Sequence, residues 1–347
     1  MFFWILVILV LSLLGAKTCK DSYFPDYISL KRIQPIKGIF ILLVFLSHFA
    51  AYITLNGVWT APYVEVRRYL GQMVVVPFLF YSGYGIAESI GKKGIAYVRK
   101  MPVQRILKVV FQFNLAVLLF LALRYAMGTT YNLKHILLTM VAWKSIGNSN
   151  WYIFAIVCLY AITCVAHLLF PKGRILPQIT ITILTVALAL ILKPYRDNYC
   201  YNTMMAYVAG IWFSKYQDVF EREILAKKQN YWLCLAVVGI LFLFGHKYWR
   251  SHVVHQTVSV LFAFLMVLVT AKFQIVNGFL GYCGEHLFSL FMLQRLPMLA
   301  LQNTPVAKNI PVYLLVCLGI TLILSVAFDK VAAQLWQVLT VRKKSSQ

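Results

Sequence analysis

The chain has 347 residues, of which 61% are hydrophobic and only 12% charged, and its mean hydropathy is +0.76. Ordinary soluble domains carry about 25% charged residues, so this composition excludes a soluble globular protein and predicts a chain that lies in lipid. The formal net charge is +23, but Lys and Arg are dispersed through short connections, which excludes the long basic stretch of a nucleic-acid-binding protein.

Repeated apolar runs of about 20 residues predict transmembrane helices, because in hydrocarbon a helix satisfies its own backbone hydrogen bonds. The first run has no basic region before it, and Lys17 and Lys20 follow it. We therefore predict a retained anchor helix over residues 1–16. Further runs lie near 36–56, 70–90, 105–126, 151–170, 175–192, 200–214, 230–246, 253–271, 279–301 and 310–338. The sequence predicts an all-α, polytopic transmembrane helical bundle of about 10–11 spans, with its main domain over residues 30–340.

A shorter apolar stretch, 135–147, holds only about 13 residues, which suits a re-entrant or interfacial segment and not a crossing. With that stretch left out, the loops richest in Lys and Arg fall on one side of the membrane, and the positive-inside rule makes that side cytoplasmic. These loops are 17–35, 91–104, 171–174, 215–229 and the C-terminal Arg342-Lys343-Lys344. The N-terminus is then predicted outside and the C-terminus in the cytoplasm.

Two other loops weaken this contrast, because they carry basic residues on the side that is predicted to lie outside. One is 57–69, with Arg67 and Arg68, and the other is 246–252, with Arg250. The seven cysteines lie mostly in apolar runs and show no CxxC or Cys/His ligand spacing, so we predict helix packing for them and no metal site.

An ionisable residue inside a span is costly and needs a reason. His48 follows Lys37 by eleven residues, which is almost three helical turns and about 16 Å, so both side chains are predicted to face one interior cavity. Neutral imidazole can accept a proton from a hydroxyl, which makes His48 a candidate general base. The alternative is a histidine that forms hydrogen bonds between helices as a packing residue.

The next segment, VPFLFYSGYGIAES at 76–89, interrupts an apolar run with small and polar residues. Its Ser82, Tyr84 and Glu88 are candidates for the substrate cavity, although tight helix packing explains the small residues equally well. A basic run follows, formed by Arg99, Lys100, Arg105 and Lys108. Such a cluster can bind the phosphates of an acyl donor, or it can contact anionic lipid and set the topology.

Two later segments also carry candidates for the substrate cavity. NSNWY opens a helix with polar side chains placed for capping, and its Trp151 lies at interfacial depth. GEHLFSLFMLQRLPM, at 284–298, carries Arg295 in an apolar helix, where the charge is costly unless it faces a cavity or pairs.

Five segments in this order resemble the acyltransferase 3 family, membrane proteins of about ten helices that transfer acyl groups, usually acetyl, to cell-surface carbohydrates. The segments are IQPIKGIFILLVFLSHF, VPFLFYSGYGI, VRKMPVQRILKV, NSNWYIFAIVCLY and GEHLFSLFMLQRLPM, and together they span about residues 30 to 300. The resemblance implies that His48 is the catalytic base or acyl relay and Lys37 its basic partner. It also implies that Arg105 and Lys108 bind the phosphates of the donor.

The resemblance further implies an activity: transfer of an acetyl-type group from cytoplasmic acetyl-CoA to a hydroxyl of an envelope polysaccharide or lipid-linked precursor, in a bacterial-type plasma membrane. Two positions depart from the family. Lys37 stands where an Arg is usual, and Phe291 and Gln294 stand where the last motif often has Tyr and His. Two other functions stay open, a transporter or flippase of a lipid-linked glycan and a non-catalytic membrane component of a glycan assembly complex.

Overall fold

The computed structural model describes residues 1–20, 22–248 and 250–341. Arg342, Lys343 and Lys344, on which the predicted cytoplasmic C-terminus partly rests, lie outside the described residues. The α-helices of the described chain are α1 Phe2–Leu13, α2 Leu30–Phe49, α3 Thr60–Leu70, α4 Val76–Met101, α5 Lys108–Ala126, α6 Leu133–Met140, α7 Trp151–Leu169, α8 Leu176–Leu192, α9 Met205–Phe220, α10 Lys228–Lys247, α11 His252–Lys272, α12 Gly278–Glu285, α13 Leu287–Leu293, α14 Arg295–Leu301 and α15 Ile310–Val341.

Six helical stretches in the described part of the chain are long and apolar enough to cross a membrane. They are Leu30–Tyr52, Thr60–Ala126, Trp151–Leu169, Lys228–Lys247, His252–Lys272 and Ile310–Thr340. Three shorter apolar segments, Phe2–Leu13, Leu176–Leu192 and Leu287–Leu301, accompany them. The predicted all-α helical bundle is therefore confirmed.

Some predicted spans do not coincide with these stretches, because an apolar run and the helix that contains it can end at different residues. The runs at 70–90 and 105–126 lie in one helical stretch, Thr60–Ala126, in which a π-helical turn over Pro102–Leu107 joins α4 to α5. Gly94 of α4, with φ of 61°, interrupts the helical geometry within it. The run at 200–214 forms α9, which has only 16 residues and is buried along most of its first half. An apolar run thus marks a buried helix as readily as one that faces lipid. Within 135–147 only residues 135–140, the last six of the 8 residues of α6, are α-helical, as expected for a segment that does not cross.

Helix α10 shows how the outer surface of the bundle is built. Tyr231 and His246 are its buried residues, whereas large apolar side chains such as Leu233, Ile240 and Phe244 are more than half exposed. An exposed apolar face of this length is unfavourable in water but costs nothing against acyl chains. This helix therefore belongs at the lipid boundary of the protein.

The interior helices approach each other at glycine. A Cβ on Gly83 of α4 would overlap the carbonyl oxygen of Tyr207, and a Cβ on Gly210 of α9 would overlap that of Phe80. Small residues let membrane helices pack with their backbones in contact, which replaces the hydrophobic driving force that lipid does not supply. Helices α2 and α12 use the same device at Gly38 and Gly284. The helix that carries His48 is consequently fixed against its neighbour.

The N-terminal connection is tied to the end of α11. Lys17–Thr18 pairs in antiparallel fashion with Phe273–Gln274, and the Phe24 amide donates to the Ala271 carbonyl oxygen over 2.8 Å. These bonds hold the segment that leads into α2 and so fix where that helix begins.

Substituting Gly83 tests the close approach of α4 and α9. We expect Gly83→Ala to lower the free energy of unfolding of the detergent-solubilised protein by about 1–3 kcal/mol, and with it the melting temperature, because a methyl group forced into a packed interface strains both helices. Gly85→Ala is the matched control, since a Cβ at Gly85 meets nothing within 4 Å. Equal melting temperatures for the two variants would contradict this packing.

Candidate active site

A cavity of about 810 Å³ opens at the end of the bundle where α2 finishes and α4, α7 and α11 begin; we call it the His48 cavity. His48 lines it together with Ser47 and is half-buried for that reason. Amide and hydroxyl side chains form much of the wall, among them Gln72, Asn148, Ser149, Asn150, Asn198 and Asn202. The lining is therefore suited to a ligand with many hydroxyl groups.

Within the described chain, the imidazole of His48 has no hydrogen bond at Nδ1. The ring of Phe291 lies beside it, with the centroids 6.3 Å apart and the planes tilted by 53°. A buried histidine that only joined two packed helices would be expected to form a hydrogen bond through this nitrogen. The unused nitrogen instead favours a role towards a bound molecule.

Three more polar atoms of the cavity residues share this property in the described structure: Gln72 Oε1, Asn148 Nδ2 and Ser149 Oγ are buried without a hydrogen-bond partner. Leaving such a group unsatisfied costs about 1–3 kcal/mol. Their concentration around one cavity indicates a place where a polar ligand supplies the missing bonds.

The connection before α7 is held by its own side chains. Asn150 precedes α7 but does not cap it; its Nδ2 donates to the Ala142 and Lys144 carbonyl oxygens over 3.0 and 2.9 Å. Asn148 Oδ1 accepts from the Ile146 amide over 3.0 Å. Asn150 thus stabilises the loop before α7 instead of capping the helix as predicted. These hydrogen bonds hold the polar wall of the His48 cavity in place.

Two aromatic residues stand at the rim of the same wall. The rings of Trp151 and Tyr199 meet edge to face with centroids 6.0 Å apart. Burial, and then the Asp197 carboxylate, raises the pKa of the Tyr199 hydroxyl to about 12, so it stays protonated at neutral pH. Together they offer an apolar ring face and a hydroxyl donor to the His48 cavity, which both residues line.

Arg295 also lines the His48 cavity, as predicted for a substrate-cavity residue. Its Nε donates to the Tyr52 hydroxyl over 3.2 Å, and its guanidinium lies 5.7 Å from the centre of that ring. The side chain is held in place without being neutralised, which leaves its charge available to the cavity.

A second cavity, of about 390 Å³, lies at the opposite end of α2 and is called the Lys37 cavity. Lys37 is half-buried, with its Nζ 5.9 Å from the centre of the Tyr81 ring. Arg105 lines the same cavity and donates from Nε to the Tyr97 hydroxyl over 2.9 Å. The remaining wall is largely apolar, so this cavity combines a hydrophobic slot with two cations.

The predicted hydroxyl residues of α4 lie in the Lys37 cavity and are both engaged. Ser82 Oγ is 2.6 Å from Tyr160 Oη, and Tyr84 Oη donates to Gln217 Oε1 over 2.7 Å. Because each hydroxyl is fixed by a neighbour, both shape the cavity.

Lys37 and His48 do not share one cavity, contrary to the prediction from their common helical stripe. Phe291 of α13 lines both cavities and packs between them, with its ring centroid 5.3 Å from that of Tyr152. Helical spacing places two residues on one face but does not reveal which side chain of another helix covers the space between them. The two cavities therefore meet at an aromatic partition beside His48.

The structure separates Glu88 from the predicted site. It lines a third cavity of about 430 Å³, where it accepts from Ser214 Oγ over 2.8 Å and pairs with Lys92 over 3.3 Å. Its carboxylate lies one to two turns of α4 beyond Ser82 and Tyr84, and that distance carries it out of their cavity.

Most of the predicted phosphate-binding run also lies elsewhere. Arg99 and Lys100 are exposed and Lys108 is half-buried, and none of the three lines the Lys37 cavity; Arg105 does. The π-helical turn over Pro102–Leu107 changes the helical repeat within this run, so its members do not share a face.

Sequence reasoning missed two arginines of the His48 cavity, Arg67 and Arg250. Both lie in the loops whose charge weakened the predicted contrast between the two sides of the membrane. That exception to the positive-inside rule was the signal that could have identified them. Among the described residues, no group of three or more His, Cys, Asp or Glu side chains could hold a metal ion.

Comparison with known proteins gives a family and nothing closer. The sequence profile of the family described as acyltransferase domain matches residues 30–330, a range that contains His48, Lys37 and Arg295. Neither the curated proteins nor the solved structures contain a match to this chain. The match covers most of the sequence and agrees with the helical membrane fold. The chain therefore belongs to the acyltransferase 3 family of membrane acyltransferases.

Proposed function

We propose that this membrane acyltransferase moves an acyl group, with acetyl the expected one, from acyl-CoA in the Lys37 cavity to a glycan hydroxyl in the His48 cavity. The acceptor is an envelope polysaccharide or its lipid-linked precursor. The observation that carries the proposal is the meeting of two chemically different cavities at His48 and Phe291.

The chemistry of the Lys37 cavity supports its assignment to the donor. An acyl-pantetheine arm is long and mostly apolar, as is the slot, and the phosphates that follow it need cations such as Lys37 and Arg105. Arg105 is exposed, which suits a position at the mouth of the cavity. The basic segments 17–35 and 91–104 lie at this end, and by the positive-inside rule we expect the mouth to face the cytoplasm, where acyl-CoA is available.

The His48 cavity then holds the acceptor. Amide side chains and the Trp151 ring supply hydrogen bonds and an apolar surface of the kind that a sugar needs, and the unsatisfied polar atoms of the wall supply a reason for binding one. Because this cavity lies at the opposite end of α2, it faces the side of the membrane where envelope glycans are displayed.

In the proposed step His48 removes the proton from the acceptor hydroxyl, and the oxygen attacks the thioester carbonyl carbon. A C–O bond forms, the C–S bond breaks, and the departing thiolate takes the proton from the imidazolium, so that the products are an ester and free CoA. Arg295 is placed to stabilise the negative charge that develops on the carbonyl oxygen. A relay, in which the imidazole nitrogen first accepts the acyl group, requires the same free ring nitrogen.

Removing the imidazole tests its role directly. His48→Ala is expected to reduce the rate of acyl transfer by roughly 10²- to 10⁴-fold, the usual contribution of a general base, while expression and membrane insertion stay normal. The rate is measured as CoA release coupled to acylation of the glycan. His167→Ala is the control, because His167 lines the third cavity. Full activity of His48→Ala would overturn the assignment.

The donor site predicts a separate kinetic effect. Lys37→Gln and Arg105→Gln should each raise the KM for acyl-CoA about tenfold, since a charge-assisted contact to phosphate is lost, with a smaller change in kcat. Lys100→Gln serves as the control because Lys100 is exposed and lines none of the three cavities. If Lys100→Gln raises KM as much as Lys37→Gln, the Lys37 cavity is not the donor site.

A further inference from the structure

The His48 cavity carries a charge pattern that a neutral sugar does not require. Three arginines line it, Arg67, Arg250 and Arg295, and no carboxylate is among its lining residues. None of the three forms an ion pair with a described carboxylate. The neighbouring Arg68 does form an ion pair, with Glu65 over 2.6 Å. The helix that carries Arg67 therefore also carries a carboxylate, but Arg67 does not pair with it.

The positions of these arginines make their charge more informative. Arg67 and Arg250 lie in connections that the charge distribution of the chain predicts to be outside, where a membrane protein ordinarily avoids basic residues. Arg295 is half-buried in a helix and held by the Tyr52 hydroxyl. Against the Asp197 carboxylate beside Tyr199, three guanidinium groups leave an excess of positive charge around the cavity that concentrates anions there, and their planar forks match a carboxylate or a phosphate.

We infer that the acceptor is anionic: a sugar or polyol unit that bears a carboxylate or a phosphate close to the hydroxyl that is acylated. This inference rests on the proposed function, because it takes the His48 cavity as the acceptor site. Arg67 and Arg250 bind the anionic group, the amides of Asn148 and Asn202 bind neighbouring hydroxyls, and His48 receives the reacting one. Charge recognition then selects acidic glycans over neutral ones.

Binding of defined probes to the full-length protein in nanodiscs of zwitterionic lipid tests the inference without the chemical step. The probes are trigalacturonate, a glycerol phosphate trimer and neutral galactotriose. We expect at least one anionic probe to bind ten or more times as tightly as galactotriose, and the better of the two identifies carboxylate or phosphate. This preference should shrink as NaCl is raised from about 0.05 to 0.5 M.

Matched variants show whether the arginines cause the preference. Arg67→Gln and Arg250→Gln should each weaken anionic binding about tenfold and leave galactotriose unchanged, whereas Arg68→Gln should alter neither. The inference is wrong if galactotriose binds as well as both anionic probes, if neither anionic probe binds, or if Arg68→Gln acts like Arg67→Gln. A second set of nanodiscs contains phosphatidylglycerol. The inference is also wrong if Arg67→Gln weakens only the binding of this lipid and leaves the binding of the anionic probes unchanged, because the arginines then bind lipid.

A second readout separates this inference from the function on which it rests. Acyl-CoA is added, and acylation of each probe is followed by mass spectrometry. Acylation of galactotriose in preference to the acidic probes leaves the acyltransferase proposal standing and removes the anionic acceptor. Tight, arginine-dependent binding of an acidic probe that is never acylated supports the anionic site and counts against the proposed transfer.

Discussion

The arrangement depends on the rigid placement of two functional groups on one helix. Lys37 and His48 are eleven residues apart on α2, and Gly38 of this helix packs with its backbone against α12. The helix itself sets the rise between their backbone positions at roughly 16 Å, and the contact with α12 holds the helix that carries both residues in place. This length is suited to a donor that is anchored by phosphate at one end and reacts at the other.

Phe291 lies where the cavities at the two ends of α2 meet. Its ring lines both cavities and lies 6.3 Å from that of His48, so an acyl group proposed to arrive from the Lys37 side meets this side chain beside the imidazole. An aromatic side chain between the two cavities excludes water from the point where donor and acceptor are proposed to meet. Four of the buried polar atoms without partners in the described structure, on His48, Gln72, Asn148 and Ser149, belong to residues of the His48 cavity, where the acceptor is proposed to bind.

The sequence was sufficient for the fold class and for the helix that matters most. Apolar runs predicted the helical bundle, and an eleven-residue interval predicted that Lys37 and His48 share a stripe. The same reasoning could not predict the Phe291 partition, because spacing along one helix says nothing about what another helix places beside it. It grouped Arg99, Lys100 and Lys108 with Arg105 as one basic run, whereas the chain forms a π-helical turn there and only Arg105 of the four lines the Lys37 cavity. Arg67 was visible only as an exception to the charge rule.

The account is tested most directly by a structure of the protein with a non-reactive thioether analogue of acetyl-CoA. The central claim is that the donor occupies the Lys37 cavity and presents its acyl end beside His48. The account predicts density for the pantetheine arm between Lys37 and Phe291, with phosphates near Arg105 and the carbonyl within reach of the imidazole. Density for the analogue in the His48 cavity, with its phosphates on Arg67 and Arg250, would contradict it.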